Sequence, residues 1–284
     1  DLHCTNLFNL DGRVAVVTGG SSGLGSMIAR ALVSNGARVY LVGRHVESLQ
    51  RVCKEFESMD KGRCSEGAKL IPIPADLSTK DGVEKMKKEV EKREKSIDLL
   101  INAVKMQGQS IHPTGGNSLQ SISQALLQQG QREAEDVLRT NVIGTYFVIA
   151  TLLPLLGNSS HNPQIINVAG VAGLSREFSE GLIEPASQAA IIHMSKTLST
   201  LLARTNVRCN VIAPGIFPGG DKNQHGKDQQ SMSSMKEMIS RVPAGRAGAE
   251  KDISTLILCL CSGFQTYVSG AVIPIDGGLL TQVP

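Results

Sequence analysis

Tryptophan is missing from the 284 residues, and aromatic side chains make up only 3% of them. Any pocket in such a chain is expected to be aliphatic. The six cysteines form no CxxC pair and the six histidines no HxxxH or HExxH pattern. The common zinc-holding spacings are therefore absent, and no metal site is expected. Three cysteines fall inside apolar segments, as buried thiols do, which points to reduced thiols in an intracellular, cytoplasmic protein. No apolar run precedes the first strand candidate and no stretch of 18 apolar residues occurs. Neither a signal peptide nor a membrane span is expected. The net charge is only +3 and the basic residues are scattered, so neither nucleic acid nor a membrane surface is an expected partner. A small-molecule substrate is the remaining default.

What the chain does contain is a regular alternation. Short β-branched runs at Arg13–Thr18, Arg38–Val42, Lys69–Ala75, Leu99–Ala103, Gln164–Val168, Val207–Ile212 and Ala271–Ile275 are separated by amphipathic stretches. The helix candidates are Gly25–Asn35, Val46–Met59, Gly82–Lys95, Glu135–Leu156, Pro185–Ala203 and Ala249–Cys261. Repeated βαβ units of this kind predict an α/β fold: one Rossmann-like, doubly wound parallel sheet of seven strands flanked by helices. No Pro/Ser-rich linker or charge block divides the chain, so a single domain over residues 1–284 is expected. Two segments break the rhythm, the Gln/Ser/Gly-rich stretch 105–132 and the polar stretch 217–235. Both are expected to be irregular insertions, the second a cover over the site or simply a mobile loop. Met106, Ile111, Phe217 and Met232 are candidates to line the pocket from them.

The first strand candidate runs directly into Thr18, Gly19, Gly20, Ser21, Ser22, Gly23, Leu24 and Gly25. Glycines there let the backbone turn sharply and approach a pyrophosphate, while the following helix offers unpaired N–H groups and a favourable dipole. A merely tight turn is the alternative. After the second strand, Gly43 and Arg44 stand where NAD-preferring sites place an acidic residue. A guanidinium there suits a 2′-phosphate, so NADP(H) is the expected cofactor, unless Arg44 is an ordinary solvated strand end.

These motifs, together with "ADL" at Ala75–Leu77, "TNVIGTYFV" at Thr140–Val148, "IINVAGVAG" at Ile165–Gly173, "NVIAPG" at Asn210–Gly215 and "IPIDGG" ending at Gly278, resemble the short-chain dehydrogenase/reductase family from about Leu7 onward. The resemblance implies that Asp76 and Leu77 lie near the adenine, that Asn102 and Ala103 line the cofactor channel, and that Pro214 and Gly215 pass the nicotinamide. It also implies a homodimer or homotetramer, built on the helices Glu135–Leu156 and Pro185–Ala203. The C-terminal "DGGLLTQVP" and the insertions look more like fungal secondary-metabolism members.

The family's proton-transfer residues are another matter. The resemblance places its tyrosine at Glu184, its lysine at Gln188 and its serine at Gly170, and leaves only Asn141 in kind. No tyrosine occurs between Tyr146 and Tyr267. Reduction of a neutral ketone needs a proton as the alkoxide forms, and a positioned general acid contributes about 10² to 10⁴ in rate. An iminium carbon needs none. The leading expectation is therefore an NADPH-dependent reductase of an iminium-type substrate in an alkaloid-type pathway, with Glu184 holding the substrate cation. It is similar to the fungal relatives that also guide a Diels–Alder cyclisation. Two alternatives stay open: a non-redox isomerase or cyclase with Glu184 as base, and a catalytically inactive nucleotide-binding partner. Glu184 before Pro185 is also an ordinary residue for a helix start.

Overall fold

The computed structural model describes residues 2–21, 23–60, 64–111, 118–177, 181–218 and 236–283. Seven parallel strands form one sheet in the order β3-β2-β1-β4-β5-β6-β7. They are β1 Val14–Thr18, β2 Arg38–Gly43, β3 Lys69–Pro74, β4 Leu99–Asn102, β5 Gln164–Val168, β6 Arg208–Pro214 and β7 Val272–Ile275. Beyond a short turn, α1 Cys4–Leu7, the helices are α2 Gly23–Ser34, α3 Val46–Asp60, α4 Lys80–Glu91, α5 Leu119–Leu126, α6 Gln131–Leu138, α7 Thr145–Gly157, α8 Ile183–Leu202 and α9 Glu250–Cys261.

Strand side chains alternate between the two faces, and both faces are covered. Ala15, Val17, Val39, Leu41, Leu99 and Ile101 join α2, α3 and α9 in one apolar cluster. Val16, Tyr40, Val42, Leu100 and Ile165 join α4 and α7 in the other. Strands buried on both sides read as continuous apolar runs, which is why they were visible in the sequence. Strand order reverses between β1 and β4, so the crevice beyond the carboxyl ends of these strands is where a ligand belongs in such a sheet.

Three expectations change. The segment 105–132 is not irregular throughout. It contains α5, whose N-cap Ser118 accepts a hydrogen bond from Ser121 N–H at 3.1 Å, and the start of α6. The expected single helix from Glu135 begins earlier and is interrupted by a π-helical turn at Arg139–Gly144. The whole stretch Gln131–Gly157 is long and apolar enough to cross a bilayer by length and composition, contrary to the sequence reading. Its residues Val148, Ile149, Leu152 and Leu156 are nevertheless packed in the core, as in the central helix of a globular domain. The polar stretch 217–235, apart from Phe217 and Pro218, lies outside the described residues, and Met232 with it.

Candidate active site

The Thr18–Gly25 turn needs its glycines for different reasons. Gly19 has φ +67°, and a Cβ there would meet the Ala103 carbonyl oxygen at 2.5 Å. At Gly25 a Cβ would lie 2.2 Å from the Gly19 carbonyl oxygen, so only glycine lets the first turn of α2 rest on the loop. Gly20 N–H donates to the Val42 carbonyl at 3.1 Å, tying the loop to β2. The first turn of α2 carries no acidic residue, so no carboxylate there opposes an anion at its positive dipole end.

A cleft of about 390 Å³ opens in front of this turn. Gly19, Ser21, Gly23, Leu24, Arg44, Asp76, Leu77, Ala103, Pro214 and Gly215 all line it. Ser22 lies outside the described residues, and Gly25 is set behind the loop. Asn102 departs from its expected place in the channel. It is 3% exposed and its amide points into the sheet, donating to Asn167 Oδ1 at 2.8 Å, while Asn167 donates to Ser195 Oγ at 2.8 Å. An amide so close to the sheet centre must be hydrogen-bonded internally. His45, Ser48, Ser78 and Thr140 also line the cleft, and sequence reasoning did not single them out. A short glycine turn, a helix N-terminus without acidic residues in its first turn and a basic residue after β2 fit a phosphorylated dinucleotide, with Gly19 and Gly25 leaving space that a Cβ would fill.

Of the four residues expected at the reacting end, three are buried around α8. Gly170 lines the cleft. Gln188 is 4% exposed and packs beneath it, its Cγ and Cδ 3.8 Å from where a Gly170 Cβ would stand. Asn141 is 2% exposed and lies in the π turn. Its Oδ1 accepts from Met106 N–H at 2.7 Å, and its Nδ2 donates to the Met106 carbonyl at 3.1 Å and to Ser187 Oγ at 3.0 Å. It is a backbone bridge that ties residue 106 to α8.

Glu184 does not face a vacant site for a cation. Its side chain is 5% exposed, and Oε1 is 2.6 Å from Lys105 Nζ. Oε2 accepts from Gly108 N–H at 3.1 Å. Both oxygens are engaged within the protein, which corrects the expectation of a carboxylate free to bind substrate. Burial explains it, since a carboxylate removed from water must find a cation or donors. Lys105 was the residue missed. The signal available was a charged residue two places beyond Ala103, at the carboxyl end of a strand where a cleft is expected. Lys105 lines the cleft, and its side chain is 55% exposed. Among the described residues no group of histidine, cysteine and carboxylate side chains is arranged to hold a metal ion.

Comparison with known proteins agrees with this geometry. The model of the short chain dehydrogenase family matches residues 13–230. The chain is 32% identical to the short-chain dehydrogenase/reductase PhomF of Diaporthe leptostromiformis, over 100% of this chain and 96% of that protein. It is also 32% identical to the rhamnolipids biosynthesis 3-oxoacyl-[acyl-carrier-protein] reductase of Pseudomonas aeruginosa, over 95% and 97% of the two chains. Among solved structures, the Pseudomonas aeruginosa RhlG/NADP active-site complex is similar with a TM-score of 0.79 at 30% identity, covering 96% of this chain and 98% of that one. With a family match across most of its length and relatives of this identity end to end, the chain is a member of the short-chain dehydrogenase family.

Proposed function

We propose that the protein is an NADP(H)-dependent reductase of a small molecule that reacts at the inner end of the cleft. The observation that carries this reading is the joining of the Gly19 turn, the first turn of α2 and Arg44 along one surface. The Pseudomonas aeruginosa relative solved as an NADP active-site complex, at 30% identity, supports the same cofactor here. When bound, the dinucleotide supplies the hydride. The protein holds its phosphates on the Gly19–Leu24 turn, receives the 2′-phosphate at Arg44, and brings Gly170, Pro214 and Gly215 to the face where substrate arrives.

The finer expectation of an iminium substrate, with alkaloid-type metabolism and a cyclisation step, rested on two supports. The missing tyrosine remains. The anchoring carboxylate does not, since Glu184 is already paired with Lys105, and a pair of opposite charges in contact offers a cationic substrate no net attraction. A neutral or anionic electrophile fits better. The same pairing argues against Glu184 as a general base. Exposed Ile143 and Tyr146 near the start of α7 and Leu201 on α8 favour a homodimer or homotetramer, which sedimentation velocity would test.

Fluorescence titration with NADPH and NADH tests the cofactor. Arg44→Ala is expected to weaken NADPH binding about 10- to 100-fold, the loss of charge-assisted hydrogen bonds worth about 1.5–3 kcal/mol, and to leave NADH binding unchanged. Equal losses for both would remove the 2′-phosphate role. Stereospecific deuterium transfer from labelled NADPH to product tests the reductase assignment itself.

A further inference from the structure

Lys105 leaves the carboxyl end of β4, between β1 and β5, and its neighbours hold it from two directions. Glu184 takes the ammonium at 2.6 Å and the Gly108 N–H at 3.1 Å, while Asn141 fixes both polar groups of the Met106 backbone. A flexible side chain is thereby given one position. The other charged or titratable groups on the cleft, Arg44, His45 and Asp76, follow β2 and β3. Arg44 lies two strands from Lys105 in the sheet, about 10 Å at ordinary strand spacing. Among the described residues Lys105 is therefore the charged group of the cleft that follows β4, on a lining that also includes Thr140, Gly170 and Pro214.

We propose that Lys105 is a catalytic residue and that Glu184 is its positioning residue. The ammonium meets the oxygen of a carbonyl substrate, stabilises the negative charge that grows on it and gives it a proton. This assigns the substrate class, a neutral or anionic carbonyl compound, and rests on the reductase reading above. The step balances as follows: two electrons and a hydrogen pass as hydride from NADPH to the carbonyl carbon, the C=O π pair moves to oxygen, and an ammonium N–H bond breaks as the O–H bond forms. NADPH leaves as NADP⁺. The resulting amine, half open to solvent, regains its proton from water. An ammonium fixed before the reaction stabilises developing charge without reorganisation.

The test uses the full chain with NADPH and two probe acceptors, 2,3-butanedione and the N-methyl-3,4-dihydroisoquinolinium cation. Lys105→Ala should lower kcat for the diketone about 10²-fold or more, with the Kd for NADPH unchanged. Lys105→Arg should recover part of it. Added ethylammonium should restore activity to Lys105→Ala, because Glu184 remains to seat it, and should fail with Lys105→Ala/Glu184→Gln. That double variant leaves no buried unpaired carboxylate, so it keeps the test valid should the single variant unfold. A second readout needs no turnover: acetylation of Lys105 by N-hydroxysuccinimidyl acetate, followed by mass spectrometry, should slow when NADP⁺ binds and quicken in Glu184→Gln. Undiminished diketone reduction by Lys105→Ala, reduction of the iminium alone, rescue that ignores Glu184, or acetylation indifferent to NADP⁺ would each overturn the role of Lys105 and leave the reductase reading standing. Binding of NADPH with reduction of neither probe would overturn the reductase reading instead.

Discussion

A methyl group at Gly19 would press on the Ala103 carbonyl from a backbone already at φ +67°. The left-handed conformation alone costs a non-glycine residue about 1–2 kcal/mol, and the clash must move either the loop or the end of β4. Gly19→Ala is accordingly expected to fold and to bind NADPH at least about tenfold more weakly, about 1.4 kcal/mol. An unchanged Kd would show that the turn yields freely. Asn141 is decisive in another way, because it satisfies a donor and an acceptor of the same residue. Asn141→Ala leaves both partly buried groups without protein partners, at about 1–3 kcal/mol. The melting temperature should fall by several degrees at this chain length. Lys105 should also become more reactive toward acylating reagents, since its anchor at Met106 is gone.

Among the elements, α9 has an N-terminus that reports on pH. Asp252 accepts from Ala249 N–H at 2.7 Å and from both terminal nitrogens of Arg246 at 2.6 and 2.9 Å. The Arg246 hydrogen bonds foremost, then the backbone donor, hold its carboxyl down at about 2 instead of the ordinary 3.8. A depressed carboxyl contributes stability that is complete above about pH 4 and is lost as pH falls toward 2. Asp252→Asn should be less stable than the parent at neutral pH, with the difference closing across that window in urea titrations. A constant difference would assign the effect to packing. The helix itself was legible because acidic residues precede an apolar run, a local signal. So was the β1–α2 turn, whose glycines are contiguous. α5 was not, since "LQSISQAL" buries only Ser121 and Ala125 and offers little apolar period, although Ser118 was a usable cap signal. The Lys105–Glu184 pair was beyond reach because it joins a strand end to a helix far along the chain. Nothing local in either segment announces the other.

At the scale of the molecule, β1, β2, β4 and β5 each contribute alternate side chains to two apolar clusters on opposite faces, so neither face can loosen without disturbing the other. The thiols make this measurable. Cys261 lies in one cluster and Cys209 in the other, and burial pushes both up to about 12. Cys4 and Cys259 are exposed. A thiol reagent at neutral pH should modify Cys4 and Cys259 at once, and Cys209 and Cys261 together at the slow rate of global opening. Saturating NADPH at 100 times Kd should retard that second phase about 100-fold, the equivalent of about 2.7 kcal/mol. Separate rates for Cys209 and Cys261 would show faces that open independently. The whole chain also inherits a constraint from its interior charge pair. Installing tyrosine at 184 alone would strand the Gly108 donor, and changing Lys105 first would leave an anion sealed from water. Descent from this chain toward a tyrosine at 184 therefore passes through a form that leaves a buried group without its partner, whichever of the pair changes first, which makes the present arrangement an evolutionary ratchet.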